Sequence, residues 1–371
     1  MKRFLKRMRK LIEDILYNRR KDAVTLPLRF FMRLLASVYG TVVFWRNFLY
    51  DRRLLKVLDV PCRVISIGNI IIGGTGKTPV TIMTANLIKE NGLAVAVVSH
   101  GYKRRDKSPR VVSDGTSVLM SARDAGDEPH ITASSLTSIP VVVGKDRYKA
   151  AKLAYERFRP DVIVLDDAMQ HRRLYRNVDI VTMEADNPIG SEYLLPRGLL
   201  RESPYYLKRA KAVVITRCYE DHSHERIERM IRYYDRKVQI FWSRYVVTGL
   251  REPWCSDKIE LETIRGKKVA ALSNIVNPDS FYRILESHGS DIVCKHAMPD
   301  HHCYNAEELE IIEKNSLDAG AEILIMTAKD ERNLPEGYDV KVIKKLVLDI
   351  KAELIENVED YLKIISPVWK Q

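Results

Sequence analysis

A glycine-rich segment with the sequence IGGTGKT at residues 72–78 constrains the fold of this chain more than any other feature. It follows a β-branched apolar run at residues 63–67, which predicts a strand, and the stretch after Thr78 predicts a helix to about residue 90. Glycines let backbone N–H groups close around phosphate oxygens, and a helix N-terminus favours negative charge. The segment therefore predicts a phosphate-binding loop within an α/β sheet.

Within this loop we expect Lys77 to reach the β- and γ-phosphates of ATP, and Thr78 to bind Mg²⁺. The strict pattern has a glycine six residues before the lysine, where this chain has Ile71, so the loop is a variant. Four further residues are expected to bind ATP through the loop: Gly73, Gly74, Thr75 and Gly76.

Two adjacent carboxylates, Asp166 and Asp167, follow an apolar run at residues 162–165. A strand that ends in an acid presents it to Mg²⁺ at the carboxyl edge of a parallel sheet. The two side chains point to opposite faces if the strand continues, so that one binds metal while the other has a structural role.

Three other segments contain side chains that could take part in catalysis or bind a metal. In the sequence AGDEP at residues 125–129, Asp127 and Glu128 by themselves favour a helix N-cap with a solvated glutamate. Adjacent histidines in PDHHCY, at residues 299–304, more often line a loop than bind a metal. In LPRGLLRE, at residues 195–202, Arg201 and Glu202 fit a site or a surface ion pair equally well.

The rest of the chain predicts a parallel sheet with helices on both faces, because short apolar runs alternate with helical stretches. Further strands are predicted at residues 94–99, 140–143, 162–165, 178–183 and 212–216. A second βα pattern comprises a strand at 269–272, helices at 279–288 and from residue 305, and a strand at 322–327. We divide the chain into a basic arm with a membrane helix (1–56), a nucleotide-binding domain (57–244), a smaller α/β lobe (245–345) and a C-terminal helix that packs back on the body (346–371).

The positive charge is confined to the N-terminal segment. Residues 1–56 hold 15 Lys/Arg and 4 Asp/Glu, a net charge of +11, whereas the remaining 315 residues have a net charge of +1. This distribution favours one contact with an anionic membrane surface over a groove that binds nucleic acid. The five cysteines are scattered and odd in number, which favours a reducing compartment over a disulfide framework or a zinc site.

An apolar stretch at residues 27–49 follows the basic arm. Its longest uncharged run has twelve residues and reaches roughly 18 Å as a helix, against about 30 Å of hydrocarbon, so we expect it not to span a membrane. A helical projection places Arg29, Arg33, Ala36, Gly40 and Asn47 on one narrow stripe. The opposite side is broad and apolar: Phe31, Leu34, Leu35, Val38, Val42, Trp45 and Phe48. The profile favours a helix in the plane of the membrane interface, and the alternative is a core helix of the soluble body.

Several motifs in order resemble those of the tetraacyldisaccharide 4'-kinases: GNIIIGGTGKTP at 68–79, HGY at 100–102, AGDEP at 125–129, DDAMQH at 166–171, LPRGLLRE at 195–202, PDHHCY at 299–304 and MTAKD at 326–330. The resemblance implies transfer of the γ-phosphoryl group of ATP to the 4'-hydroxyl of an acylated glucosamine disaccharide 1-phosphate. It also implies Mg²⁺ and a peripheral enzyme on the cytoplasmic face of the inner membrane.

The resemblance assigns roles to individual residues. Asp127 and His301 form the pair that activates the hydroxyl, and Lys77 meets the phosphates. Thr78, Asp166, Asp167 and Glu128 are the expected metal ligands, and Gln170, His171, Arg201 and Glu202 shape the site. Two positions depart from the family pattern, because His100 replaces an arginine and Ala168 replaces a glycine.

Two other functions remain as alternatives. A membrane-recruited P-loop ATPase of the partitioning type also contains GGTGKT, but it usually has lysine where this chain has Ile72. A catalytically inactive lipid-binding adaptor would not need Lys77, Thr78 and Asp127, which are all present.

Overall fold

The computed structural model describes residues 8, 11–12, 14–20, 22–102, 104, 106–219, 222–255, 257–299, 302–335, 338 and 342–366. Twelve strands form one sheet in this part of the chain. The strands are β1 (Arg63–Gly68), β2 (Val95–Ser99), β3 (Arg110–Ser113), β4 (Val141–Val143), β5 (Val162–Asp166), β6 (Val178–Glu184), β7 (Ala212–Thr216), β8 (Gln239–Arg251), β9 (Lys268–Ser273), β10 (Asp291–Ala297), β11 (Ile323–Thr327) and β12 (Lys344–Leu354).

The helices are α1 (Leu26–Asp51), α2 (Lys77–Glu90), α3 (Ala122–Ala125), α4 (Asp127–Ser135), α5 (Arg147–Phe158), α6 (His224–Tyr234), α7 (Pro278–Ser287), α8 (Ala306–Asp318), α9 (Ala328–Arg332) and α10 (Val358–Ile365). Short 3₁₀ helices lie at Ala23–Thr25, Pro204–Arg209 and Leu261–Ile264.

The strand order is β10-β9-β11-β12-β8-β7-β6-β1-β5-β2-β4-β3. Neighbouring strands pair in parallel except β3 with β4 and β8 with β12. The predicted α/β class with a P-loop-type sheet is confirmed, with the difference that the sheet is mixed rather than wholly parallel. The sequence prediction identified eight of these strands and missed β3, β8, β10 and β12.

Apolar side chains of alternate strand positions pack on helices at both faces of the sheet, as predicted. On one face, Ile65 and Ile67 of β1 lie in a cluster with α2, α4 and α10. On the other, Val64 packs with the alanines of α5, and Val213 lies in a cluster with α6. The core is therefore three layers deep, and the parallel strands end at one common edge.

Strand β8 joins the two halves of the sheet. Its first part pairs with β7 up to Trp242, and its remainder pairs antiparallel with β12 from Ser243 to Arg251. The predicted boundary at residue 245 falls inside this strand, and part of the predicted C-terminal helical segment is β12. Helix α10 follows, and its Tyr361 hydroxyl lies 2.7 Å from that of Thr84 in α2. The division into domains stays a prediction.

The face of helix α1 that packs on the body overlaps only in part with the narrow stripe that the sequence predicted, because Arg33 of that stripe is exposed and Met32 and Val43, which lie outside it, are buried. Ala36 and Asn47 are buried, and a Cβ atom added to Gly40 would lie 2.8 Å from Leu194 Cδ1. The opposite, apolar side is exposed, with more than half of the Leu34, Val38 and Trp45 side chains open to solvent. The core-helix alternative is therefore wrong.

By length and composition, the segment Ala23–Asp51 also qualifies as a helix able to cross a membrane. The expectation that it is too short to span rested on its uncharged run alone. The helix continues through Arg29, Arg33 and Arg46, and its 26 residues reach about 39 Å.

Candidate active site

The carboxyl ends of the central parallel strands bring the predicted site residues together. The glycine loop follows β1, Asp166 ends β5, and Thr216 ends β7. Because these strands are parallel neighbours or nearly so, their ends meet at one edge of the sheet. This edge is where ligands bind in open α/β sheets, so residues distant in sequence share one site there.

The glycine loop closes tightly before α2. Gly76 has a φ of 78°, and a Cβ atom there would lie 2.7 Å from Tyr245 Oη and 3.0 Å from Thr216 Cγ2. Any other residue would be strained and would clash, which explains the glycine. The Thr75 hydroxyl is buried between Asn69 and Thr182, at 2.9 and 2.8 Å, so this residue fixes the loop with its side chain.

Lys77 lies at the N-terminus of α2 and turns back over the loop. Its Nζ donates to Gly73 O at 3.4 Å and lies 4.0 Å from Asp167 Oδ1. Only 11% of its side chain is exposed. The ammonium group is therefore fixed between the loop backbone and the strand-end carboxylate, at a place where backbone N–H groups also point.

Asp166 is buried and turned toward α2. Its carboxylate accepts hydrogen bonds from Thr78 Oγ1 at 3.2 Å and Thr81 Oγ1 at 3.3 Å. Burial raises the pKa of Asp166 well above the usual value, and the nearby carboxylates Glu128 and Asp167 raise it further. A cation at this position would lower that pKa, so the pair of Asp166 and Thr78 is suited to hold one.

Asp167 has different neighbours. Its φ is 49°, and this left-handed conformation turns the carboxylate toward Arg201, whose Nη1 donates to Oδ1 at 2.8 Å. Burial raises the pKa of Asp167, but attraction to Lys77 and Arg201 outweighs it and leaves the pKa below the usual value. The opposite faces were expected only if the strand continued, and β5 ends at Asp166, so the two aspartates differ through this turn of the backbone and through their partners.

A buried polar network extends from this site to helix α1. Gln170 donates to Glu202 Oε1 at 2.8 Å and accepts from Arg201 at 3.3 Å. Glu202, fully buried, also accepts from Arg209 at 2.6 Å and from Asn47 at 3.2 Å. The surface ion pair considered for Arg201 and Glu202 is therefore wrong, because both belong to this internal network.

The family model for LpxK, described as tetraacyldisaccharide-1-P 4'-kinase, matches residues 28–366. The chain belongs to this kinase family. It is a 4'-kinase of lipid A biosynthesis. This assignment rules out the two alternative functions, the partitioning ATPase and the inactive adaptor.

Individual relatives agree with the family. The tetraacyldisaccharide 4'-kinase of Syntrophus aciditrophicus is 40% identical over 337 residues, covering 88% of this chain and 89% of the relative. That of Halothermothrix orenii is 36% identical over 344 residues, covering 87% and 88%. The crystal structure of LpxK from Aquifex aeolicus in complex with ATP has a TM-score of 0.72 and 29% identity, covering 91% of this chain and 98% of that one.

The two departures of this 4'-kinase from the family pattern have a physical explanation. Burial, followed by Arg147, lowers the pKa of His100, so the imidazole is neutral near pH 7 and does not replace the charge of an arginine. Ala168 is buried, and its N–H donates to Ile67 O at 3.2 Å. Its φ is not positive, so an alanine fits there without backbone strain.

Arg147 is a residue of this kinase that sequence reasoning missed. It is 2% exposed, and its Nη2 donates to the carbonyls of Asp166 and Asp167 at 3.1 and 3.4 Å. Burial lowers the pKa of Arg147 to about 10, and burial with Arg147 lowers that of His171 to about 4. The sequence offered one signal for Arg147, namely a basic residue just after the strand predicted at 140–143. That strand ends at the same edge of the sheet as the site.

The expected catalytic pair is described only in part. Asp127 begins α4, and Glu128 follows it close enough to Asp166 and Arg147 to act on both electrostatically. His301 lies outside the described residues, so its pairing with Asp127 stays a prediction. The neighbouring His302 donates from Nε2 to Glu308 Oε2 at 2.7 Å.

Proposed function

We propose that ATP is the phosphoryl donor of this 4'-kinase and that residues 73–78 hold its phosphates. The observation that carries this proposal is the arrangement of Lys77, Thr78 and Asp166 at the start of α2, with the lysine and the carboxylate both largely buried. P-loop enzymes use this combination of lysine, hydroxyl and strand-end acid to bind nucleotide phosphates and their metal ion. The ATP complex of the relative from Aquifex aeolicus supports the choice of nucleotide.

The residues present fit Mg²⁺. In the described part of the chain no three His, Cys, Asp or Glu side chains form a group able to hold a metal alone. Mg²⁺ does not require one, because it usually binds one or two carboxylates together with waters and substrate phosphates. Thr78, Asp166 and Glu128 would hold the ion, which when bound neutralises charge on the phosphates. Asp167 was also expected to ligate it, but its ion pairs with Lys77 and Arg201 favour a role in orienting these two cations.

In the reaction, the 4'-hydroxyl oxygen of the acceptor bonds to the γ-phosphorus of ATP, and the bond from that phosphorus to the β–γ bridging oxygen breaks. The hydroxyl proton passes to the pair of Asp127 and His301, and ADP leaves. Lys77 and Arg201 stand where negative charge develops on the transferred group. The remaining site-shaping residues, Gln170, His171 and Glu202, keep these groups in place.

Phosphate transfer measured with ³²P-labelled ATP and a tetraacyl disaccharide 1-phosphate tests the proposal. We expect label in the lipid when Mg²⁺ is supplied and loss of nearly all transfer when the cation is chelated. Transfer that is unchanged after chelation would remove the metal from the mechanism. Equal labelling from GTP at the same concentration would remove the preference for ATP.

Helix α1 supports association with a membrane surface. The face that carries Met32, Ala36, Val43 and Asn47 packs on the body, while large apolar side chains on the rest of the helix remain exposed. Such a side, next to a basic arm, suits insertion at the interface of an anionic bilayer. We place the enzyme peripherally on the cytoplasmic face of the inner membrane, where its lipid acceptor is accessible, and we assign no nucleic-acid partner.

Serine substitution of three exposed α1 residues, Leu34, Val38 and Trp45, is expected to lower the affinity for anionic vesicles by about tenfold or more. Removing apolar area from the membrane-facing side weakens binding without touching the body. Wild-type binding should also weaken as salt is raised, because the charge of residues 1–56 is screened. Vesicle co-sedimentation measures both effects.

The variant Ile311→Ser, at an exposed apolar residue of α8, is the matched control and should bind vesicles like the wild type. If the triple variant also co-sediments like the wild type, the membrane contact lies elsewhere.

A further inference from the structure

A second charged cavity lies beside the strand-end carboxylates, at the N-terminus of α5. Its volume is about 480 Å³, and its lining includes Lys107, Lys145, Lys149 and Arg173. With Arg147 and the acid Asp146, the described residues of the lining carry a net charge of +4. So many cations around one cavity are unfavourable unless an anion binds among them.

The three lysines of this cavity form no ion pair with any described residue, and all three are exposed. Asp146 does not neutralise them. Its carboxylate pairs with Arg173 at 3.1 Å and accepts from the backbone N–H groups of Tyr148 and Lys149, where it caps α5. Asp146 thus occupies the N-terminus of the helix, while the three lysines remain available to a ligand.

Arg147 gives an independent indication of a ligand. It lines the cavity although it is 2% exposed, and its Nε donates no hydrogen bond within the described part of the chain. A buried N–H without an acceptor costs free energy. Its other nitrogens donate to the carbonyls of Gly144, Asp166 and Asp167. One side chain thus connects the cavity with the reaction centre.

The cavity is also next to the C-terminal end of α1. Arg172 donates to Asn47 O at 3.0 Å and pairs with Asp51 at 2.6 Å, and Arg173 lines the cavity. The cavity therefore adjoins both the end of α1 and, through Arg147, the reaction centre. The family description specifies an acceptor with a phosphate at position 1 in addition to the reacting 4'-hydroxyl.

We propose that this cavity binds the 1-phosphate of the lipid acceptor. The proposal rests on the kinase function above and adds to it a second anion site, distinct from the loop at residues 73–78. The lysines bind the phosphate monoester by charge-assisted hydrogen bonds, and a phosphate held there fixes the register of the disaccharide so that the 4'-hydroxyl meets the γ-phosphate.

The test compares acceptors with and without the 1-phosphate, using the double variant Lys107→Gln with Lys149→Gln. With the phosphorylated acceptor, we expect the KM for lipid to rise about tenfold, while kcat and the KM for ATP change less than twofold. With the 1-dephospho acceptor, the double variant and the wild type should have the same kcat/KM within twofold. Lys152→Gln, on the same helix and paired with Glu156, is the matched control and should change neither acceptor's kinetics.

Each other outcome has a distinct meaning. Unchanged kinetics of the double variant, or an equal loss of kcat/KM on the two acceptors, would overturn the proposal. If the equal loss is accompanied by weaker vesicle binding, the lysines contact the membrane instead. A rise in the KM for ATP alone would assign the cavity to a nucleotide phosphate. If the wild type phosphorylates neither acceptor, the proposed function fails rather than the cavity assignment.

Discussion

Replacing Lys77 by alanine is expected to lower kcat by at least about 10³-fold at saturating ATP, the upper range for loss of one preorganised charge at a transition state. The Lys77 ammonium is held between Gly73 O and Asp167 with little solvent access. It therefore meets the γ-phosphoryl group without reorganisation, and water entering an alanine variant would not reproduce its field. Steady-state transfer of ³²P measures the loss.

Lys89→Ala is the matched control for this variant. Lys89 lies near the other end of α2, where its Nζ donates to Thr137 O at 2.7 Å, away from the loop. The control should keep wild-type turnover, and both variants should keep the wild-type circular dichroism spectrum. Turnover of Lys77→Ala within a few-fold of wild type would contradict the role of the loop.

Asp127→Ala and His301→Ala are each expected to reduce kcat by roughly 10²–10⁴-fold, the usual contribution of a positioned acid–base group. A sugar hydroxyl is a poor nucleophile, so its proton needs an acceptor during transfer. Asp127 begins α4 beside Glu128, which acts on buried Asp166, so it lies next to the proposed metal ligands. The double variant should be little worse than the poorer single variant, because residues that act as a unit are not additive.

The neighbours of the pair supply matched controls. His302 is adjacent to His301 but pairs with Glu308, and Asp124 accepts from the Ser121 hydroxyl at the start of α3. Alanine at either position should reduce kcat by less than about tenfold. If the penalties of Asp127→Ala and His301→Ala multiply in the double variant, the two residues have independent roles and the dyad is abandoned.

Local chemistry made much of this site predictable from the sequence. The glycine loop and Thr78 lie between β1 and the first turn of α2, and Asp166 ends β5. The apolar patterns of these elements identify them in the sequence, so the fold places the three at one edge of the sheet. The same reasoning identified Ala36 and Asn47 on the face of α1 that packs on the body, because a helical projection needs only the local sequence.

Residues linked over long distances in sequence were not predictable in this way. The bond from Asn47 to Glu202 joins residues 155 positions apart, and Arg147 reaches Asp166 only through the packing of two strand ends. Strand β8 was missed because most of it pairs antiparallel with β12, about a hundred residues later in the chain. No local pattern specifies that partner.

Arg201 has two contacts whose combination has a kinetic consequence. Its guanidinium pairs with Asp167, while its backbone carbonyl accepts from Tyr39 of α1 at 2.7 Å. With α1 in the membrane interface as proposed, this connection keeps the reaction centre at a fixed height above the lipid layer. Encounter with the acceptor then becomes a two-dimensional search, so turnover follows the mole fraction of acceptor within the bilayer and falls when inert lipid dilutes it at constant bulk concentration.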